Sequence, residues 1–246
     1  MKNDFGEDLY PLLAELPCKN VERVLAIGVD LESSQEEIDL AARYDYIYAA
    51  AGIHPEHAAD LPEDWESRLE ELLKRDKVVA LGEIGLDNHY PEPPKEVQRE
   101  VFVKQLEMAK RLDKTVIIHS REAMGETLEL LKEYKPRGVM HCFSGSVESM
   151  REVVKLGMYI GFTGALTFKN SLKARAVCAE TPIDRLLLET DCPYLAPIPF
   201  RGKRSDSSMI QYTAAVMAEL KGVSTEEMIE TARKNGERLF FGEEQK

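Results

Sequence analysis

Short, β-branched apolar runs alternate along the chain with longer stretches in which apolar residues recur every three or four positions. Strand-like runs fall at residues 21–30, 46–55, 78–87, 115–120, 138–145, 158–164 and 186–193. Between them, residues 33–44, 64–74, 95–112, 121–134, 147–156 and 171–179 each present one apolar face, as amphipathic helices do. Two further helical stretches, 208–220 and 225–240, follow a Pro- and Gly-rich loop at 196–202. This alternation predicts parallel strands joined by right-handed helical crossovers. Val116-Ile117-Ile118 and Leu186-Leu187-Leu188 are apolar without interruption, as strands covered on both faces must be.

The expected fold is therefore α/β: a TIM-type (β/α)8 barrel occupying residues 1–246 as one domain, with no repeat, low-complexity tract or linker to divide it. Only seven strands are found where such a barrel takes eight. The chain opens on a helix, residues 5–16, so the barrel is expected to be N-terminally incomplete, with its first strand missing.

Composition narrows the function without choosing it. Of 246 residues, 43% are hydrophobic and 31% charged, and no apolar run approaches the roughly 18 residues of a membrane helix. The N-terminus is acidic and lacks a secretory pattern, which points to a soluble, cytoplasmic protein, taken as a monomer. The four cysteines, Cys18, Cys142, Cys178 and Cys192, have no metal-type spacing and read as structural thiols of a reducing compartment. A net charge of −12 disfavours a passive nucleic-acid coat, but does not exclude a nuclease that meets a few phosphates with metal ions and a short cationic loop.

The candidate chemistry lies where the apolar runs end, the edge on which β/α barrels build their sites. Glu83 and Asp87 lie in the last part of the third run; His119 and Ser120 close the fourth, with Arg121 next; the fifth run delivers His141, and the seventh Glu189 and Asp191. Each has a structural alternative: a histidine at a strand end is commonly just hydrogen-bonded, Asp191 could cap a turn, and Glu83 could pair with an arginine. As a set, Glu83, His119, His141 and Asp191 point to divalent-metal ligands, because a charge beside an apolar strand needs compensation. Carboxylate oxygen and imidazole nitrogen together suit Zn²⁺, Mn²⁺ or Fe²⁺, and Mg²⁺ if substrate phosphates complete its shell. His54, in Gly52-Ile53-His54-Pro55, ends the second run. Phe200-Arg201-Gly202-Lys203-Arg204 places cations around a glycine, a phosphate-binding arrangement or merely a solvated basic turn. His57 and His89 end no apolar run and read as surface residues.

In combination and order, these motifs resemble the TatD-type metal-dependent deoxyribonucleases, amidohydrolase-like barrels, over nearly the whole chain. Ile118-His119-Ser120-Arg121, His141-Cys142-Phe143-Ser144-Gly145 and Glu189-Thr190-Asp191-Cys192-Pro193-Tyr194 carry the resemblance, with the Gly52, Gly82 and Pro199 segments. It implies hydrolysis of DNA phosphodiesters, usually 3′ to 5′, with two divalent ions (Mg²⁺, Mn²⁺ or Zn²⁺) at the barrel mouth. It further implies that Glu83 bridges the metals, that His119 and His141 complete the second site, and that Asp191 binds the first and orients or deprotonates the attacking water. His54, Arg201 and Lys203 would hold phosphate. Family members open on a strand ending in His-x-His, and this chain has no such pair; Ser205-Asp206-Ser207 replaces an Asn-Glu-Pro common in relatives, and Glu122 an aspartate. Two alternatives stand beside the nuclease: an aminoacyl-tRNA or other ester or amide hydrolase on the same barrel, and a truncated, catalytically weak nucleic-acid-binding protein.

Overall fold

A computed structural model describes residues 5–242. Seven parallel strands form one sheet in sequence order: β1 (Val24–Ile27), β2 (Ile47–Ala51), β3 (Val78–Asp87), β4 (Thr115–Arg121), β5 (Gly138–Met140), β6 (Tyr159–Phe162) and β7 (Leu186–Leu188). The helices are α1 (Leu9–Glu15), α2 (Leu31–Ala41), α3 (Trp65–Leu73), α4 (Lys95–Leu112), α5 (Met124–Tyr134), α6 (Val147–Lys155), α7 (Leu172–Glu180), α8 (Ile210–Lys221) and α9 (Thr225–Phe240). This is a TIM-like β/α barrel, as the alternation predicts. β1 and β7 are the two ends of the sheet, and among the described residues no eighth strand joins them.

The barrel has two apolar layers, and the two-residue period of a strand sorts side chains between them. Outward-facing residues such as Val116, Ile118 and Met140 share one cluster with Ile38, Leu69, Phe102 and Met217 of the helix ring. Inward-facing residues form a separate cluster to which every strand contributes: Leu25, Ala50, Ala80, Ile117, Val139, Tyr159 and Leu187. Leu239 and Phe240, at the end of α9, belong to this inner cluster and plug it from below. The plug is fastened by the Thr115 hydroxyl, which donates to the Leu239 carbonyl at 3.1 Å.

Helix starts follow local chemistry. Asp30 caps α2, its carboxylate accepting from the Ser33 amide at 2.7 Å while Ser33 Oγ accepts from the Asp30 amide at 3.0 Å. Ser146 and Ser149 make the same reciprocal cap on α6. Several strands are shorter than expected: β1 covers 24–27 rather than 21–30, β5 stops at Met140 and β7 at Leu188. At the rim the chain leaves the ladder to turn, so apolar pattern overstates strand length where polar residues take over. Residues 121–134 are likewise divided, because Arg121 ends β4 and Glu122 adopts φ +55° before α5 begins at Met124.

Candidate metal centre at the barrel mouth

The inner layer fixes the site by register. Two residues beyond Ile117 on the same face is His119; two beyond Val139 is His141; two and four beyond Leu187 are Glu189 and Asp191; four beyond Ala50 is His54. Glu83 enters through a register shift between Leu81 and Ile84 in β3, and its amide donates to the Gly28 carbonyl at the end of β1. Gly85, at φ +150°, lies opposite His119, where a Cβ would sit 2.0 Å from the His119 carbonyl oxygen. Only glycine lets β3 come close enough for Glu83 to reach the β4 histidine.

The side chains fall into two groups. In the first, His119 Nδ1 stands 2.8 Å from Glu83 Oε1, and His54 Nε2 stands 4.0 Å from the same oxygen. One donor atom from each of these three residues lies within 4.8 Å of the others, close enough to share an ion. The His54 and His119 rings meet edge to face at 4.4 Å. In the second group, His141 Nε2 stands 3.3 Å from Asp191 Oδ1 and its Nδ1 stands 3.1 Å from Glu189 Oε2. Of the four expected metal ligands, Glu83 and His119 therefore meet directly, while His141 and Asp191 meet each other. The groups are coupled electrostatically, since His141 acts on the Glu83 carboxyl.

Two partners lie beyond the four residues expected to ligate metal. Asp87 Oδ2 holds His119 Nε2 at 2.9 Å, and Glu189 holds His141 Nδ1. Asp87 is itself fixed: Gln98 bonds both its amide and its carbonyl, and Asp87 Oδ1 accepts from the His89 amide. Glu189 accepts from the Cys142 amide and fits only because Gly161 leaves room, a Cβ there falling 2.5 Å from the carboxyl carbon. Each candidate ligand histidine thus has a carboxylate holding one ring nitrogen. This is how metal-binding imidazoles are oriented and made basic. The inward period that passes from Leu187 through Glu189 to Asp191 was the signal available for Glu189; Asp87 had only its place at a strand end.

Charge states follow from these contacts. Burial alone would raise Glu83, but the pull of His141 and His119 carries its carboxyl well below the ordinary range. Burial alone would lower both histidines, and the carboxylates override it, raising His119 and raising His141 further. Each ring holds a proton between two carboxylates, and a divalent ion can replace such a proton. The donor set thus fits a divalent metal. His54 differs: burial pushes it down to about 4, and its Nδ1 accepts from the Glu56 amide at 3.3 Å. That pattern leaves the proton of the neutral ring on Nε2, the nitrogen nearest Glu83, as a donor facing the mouth.

The cationic loop is less concentrated than its sequence. Arg204 is bound to Asp8 at 2.7 Å and lies over Phe5, tying the loop to the N-terminal segment. Arg201 lies over the Phe168 ring and Lys203 over Phe200, both exposed and, among the described residues, without a carboxylate partner. Neither contacts the two groups above. His57 and His89 are exposed, paired with Asp30 and Glu122. All four cysteines are free, and burial pushes the Cys142 thiol up to about 11 and Cys178 up to about 12. No helix of the described residues is long and apolar enough to cross a membrane.

A parallel β/α barrel whose mouth gathers carboxylates around oriented imidazoles defines the class: a metal-dependent hydrolase. The chain belongs to the TatD related DNase family, whose model matches residues 2–241. It is 42% identical over 239 residues to the uncharacterized metal-dependent hydrolase YabD of Bacillus subtilis, covering 96% of this chain and 94% of that one. It is 34% identical to the 3′-5′ ssDNA/RNA exonuclease TatD of Cronobacter sakazakii, over 97% of this chain and 94% of that one. The crystal structure of YjjV, a TatD homologue from Escherichia coli, superposes with a TM-score of 0.90 at 33% identity, covering 96% and 93% of the two chains. The expectation of a missing first strand is not borne out by these matches. His54 is nonetheless the first histidine of the sequence, so the His-x-His pair implied by resemblance is not in this chain.

Proposed function

We propose that this metal-dependent hydrolase cleaves phosphodiester bonds of DNA from the 3′ end. The observation that carries the reading is the donor nitrogen His54 Nε2, presented 4.0 Å from Glu83 beside histidines held by carboxylates. An anionic oxygen is the natural acceptor for such a donor. The sequence relative named a 3′-5′ ssDNA/RNA exonuclease supports the same bond and polarity.

In this reading Glu83, His119, His141 and Asp191 would hold divalent metal, Mg²⁺, Mn²⁺ or Zn²⁺. When bound, the metal supplies Lewis acidity toward the attacking water and the phosphoryl oxygens. Asp191 is the most exposed of the four, at 35% of its side chain, and takes the proton released as water attacks phosphorus. His54 donates its Nε2 proton as a hydrogen bond to a non-bridging oxygen, and Arg201 and Lys203 hold a neighbouring phosphate. The bond between phosphorus and the 3′ oxygen breaks, and the departing oxygen is protonated from water.

The test uses single-stranded DNA labelled at one end, with divalent metal and with chelator, on the wild type and on Glu83→Ala. Metal-dependent shortening from the 3′ end, abolished by the substitution, is expected. Faster hydrolysis of an aminoacyl ester than of DNA, or DNA binding with no cleavage under any metal, would overturn the proposal.

A further inference from the structure

Helix α4 carries two polar residues on its buried face. Val101, Phe102, Leu106 and Ala109 make that face apolar, and Gln98 and Gln105 stand among them at 2% and 0% exposure. Amides buried in an apolar face are costly unless their polar atoms find partners. The two lie seven positions apart on the helix, which sets them on one face about 10.5 Å from each other along its axis.

Each side-chain amide takes the place of a neighbouring strand. The pairing of β2 with β3 ends at Ala51 and Leu81, and beyond that point the two chains no longer bond to each other. Gln105 Oε1 accepts from the Ile53 amide at 2.8 Å, and its Nε2 donates to the Ile53 carbonyl at 3.0 Å. Gln98 Oε1 accepts from the Asp87 amide at 2.9 Å, and its Nε2 donates to the carbonyls of Asp87 at 2.9 Å and Pro93 at 2.8 Å. Ile53 immediately precedes His54, whose own amide donates to the Val29 carbonyl at 2.8 Å. Asp87 is the carboxylate on His119 Nε2. One helix therefore holds the backbone that carries His54 and the backbone that carries the partner of His119, and these are the two rings that meet at 4.4 Å.

We propose that Gln98 and Gln105 are positioning residues of the metal centre: Gln105 fixes His54 Nε2 toward Glu83, and Gln98 fixes Asp87 on His119. Both amides bond backbone rather than the donor atoms of the centre, so each acts through the residue it clamps. The inference rests on the metal-centre assignment and not on the choice of substrate, which separates it from the phosphodiester reading above. A glutamine that only satisfied buried backbone would, when replaced, lower stability without distinguishing one ring from the other. The geometry demands more: Gln105 governs one imidazole and Gln98 the other.

The experiment uses the full chain with Gln98→Met and Gln105→Met, which keep side-chain length and remove the amide. Gln98→Asn and Gln105→Asn keep the amide and withdraw it by one methylene. Calorimetric melting identifies a folded variant at each position. Nitrogen-15 spectra of histidine-labelled, metal-free protein at neutral pH report the tautomer of each ring, and isothermal titration with Mn²⁺ reports affinity. The Gln105 variant should turn a single Nε2–H tautomer of His54 into a mixture, with the His119 signals and the Mn²⁺ affinity unchanged. The Gln98 variant should weaken Mn²⁺ binding about 10–100-fold, the usual loss when the partner that orients an imidazole is freed, with His54 unchanged. In an Asp87→Ala background the Gln98 substitution should cost no further affinity, because the two act as one unit. Equal disturbance of both rings by either variant, unchanged rings and affinity in folded variants, or additive losses in the Asp87→Ala background overturn the positioning role. Failure of both substitutions at one position to fold also overturns it, since that amide then serves the fold rather than the site. Hydrolysis of bis(p-nitrophenyl) phosphate, assayed alongside, bears on the phosphodiester reading alone: a wild type inert on it overturns that reading and leaves the ring and affinity results to decide this one.

Discussion

Gly161→Ala tests whether Glu189 acts on the metal centre through His141. An alanine Cβ at this position would fall 2.5 Å from the Glu189 carboxyl carbon and 2.5 to 2.6 Å from its oxygens. Ordinary contact begins near 3.4 Å, so the carboxylate must retreat by about 1 Å. The Glu189–His141 separation of 3.1 Å then passes beyond hydrogen-bond reach. The clash is with the end of a side chain rather than with backbone, so the fold should lose only about 1–2 kcal/mol, roughly 2–8 °C in Tm. The imidazole loses its orienting partner, a change that typically weakens metal binding about 10–100-fold. Isothermal titration with Mn²⁺ or Zn²⁺ gives the affinity and calorimetric melting gives the stability. An alanine variant that binds metal as tightly as the wild type, with an intact fold, refutes the positioning role; loss of the fold would refute the assigned flexibility of Glu189.

Other outcomes follow from the same contacts. The raised values of His119 and His141 stabilise the metal-free protein fully below their ordinary value of 6.5, and that contribution is lost as pH rises through their higher folded values. Glu83, lowered, contributes above its ordinary 4.5 and loses that contribution as pH falls. Melting of the metal-free protein should therefore drop above neutral pH, whereas metal affinity should tighten over the same range, because the ion displaces those protons; a pH-independent affinity contradicts this. Leu239→Ala, which empties part of the barrel plug at a residue only 3% exposed, should cost about 2–5 kcal/mol in urea unfolding, and a loss under about 0.5 kcal/mol would count against the plug. His54→Gln retains a donor amide and should keep more diester hydrolysis than His54→Ala, with metal affinity equal in both; an Ala variant that loses metal would instead make His54 a ligand.

Most of the architecture was legible because a barrel strand announces itself twice, through an apolar run and through the polar residue that ends it. Ile117 to His119 and Val139 to His141 show the rule: one inward step past the apolar layer is the mouth. Strand ends were less legible, since Cys142 and Phe143 extend an apolar pattern after the backbone has left the ladder at Met140. The pairing of site residues could not be read at all. Whether His141 meets Glu83 or Asp191 depends on the curl of the sheet and on a register shift in β3, neither of which has a sequence period. One cation of the basic loop is taken up elsewhere for a related reason: Arg204 belongs with Asp8, 196 positions away, and pairs of that range leave no local pattern.

If the centre takes a metal, Glu83 and His119 would hold it, with Asp87 keeping the far nitrogen of the His119 ring. Crystals soaked in Mn²⁺ and measured for anomalous scattering test it most directly. A peak at about 2.0–2.3 Å from both Glu83 and His119 Nδ1, with the Asp87 bond intact, is the expected result. A metal bound through Nε2 after displacing Asp87, or no peak at these residues in a crystal of active protein, would contradict the account.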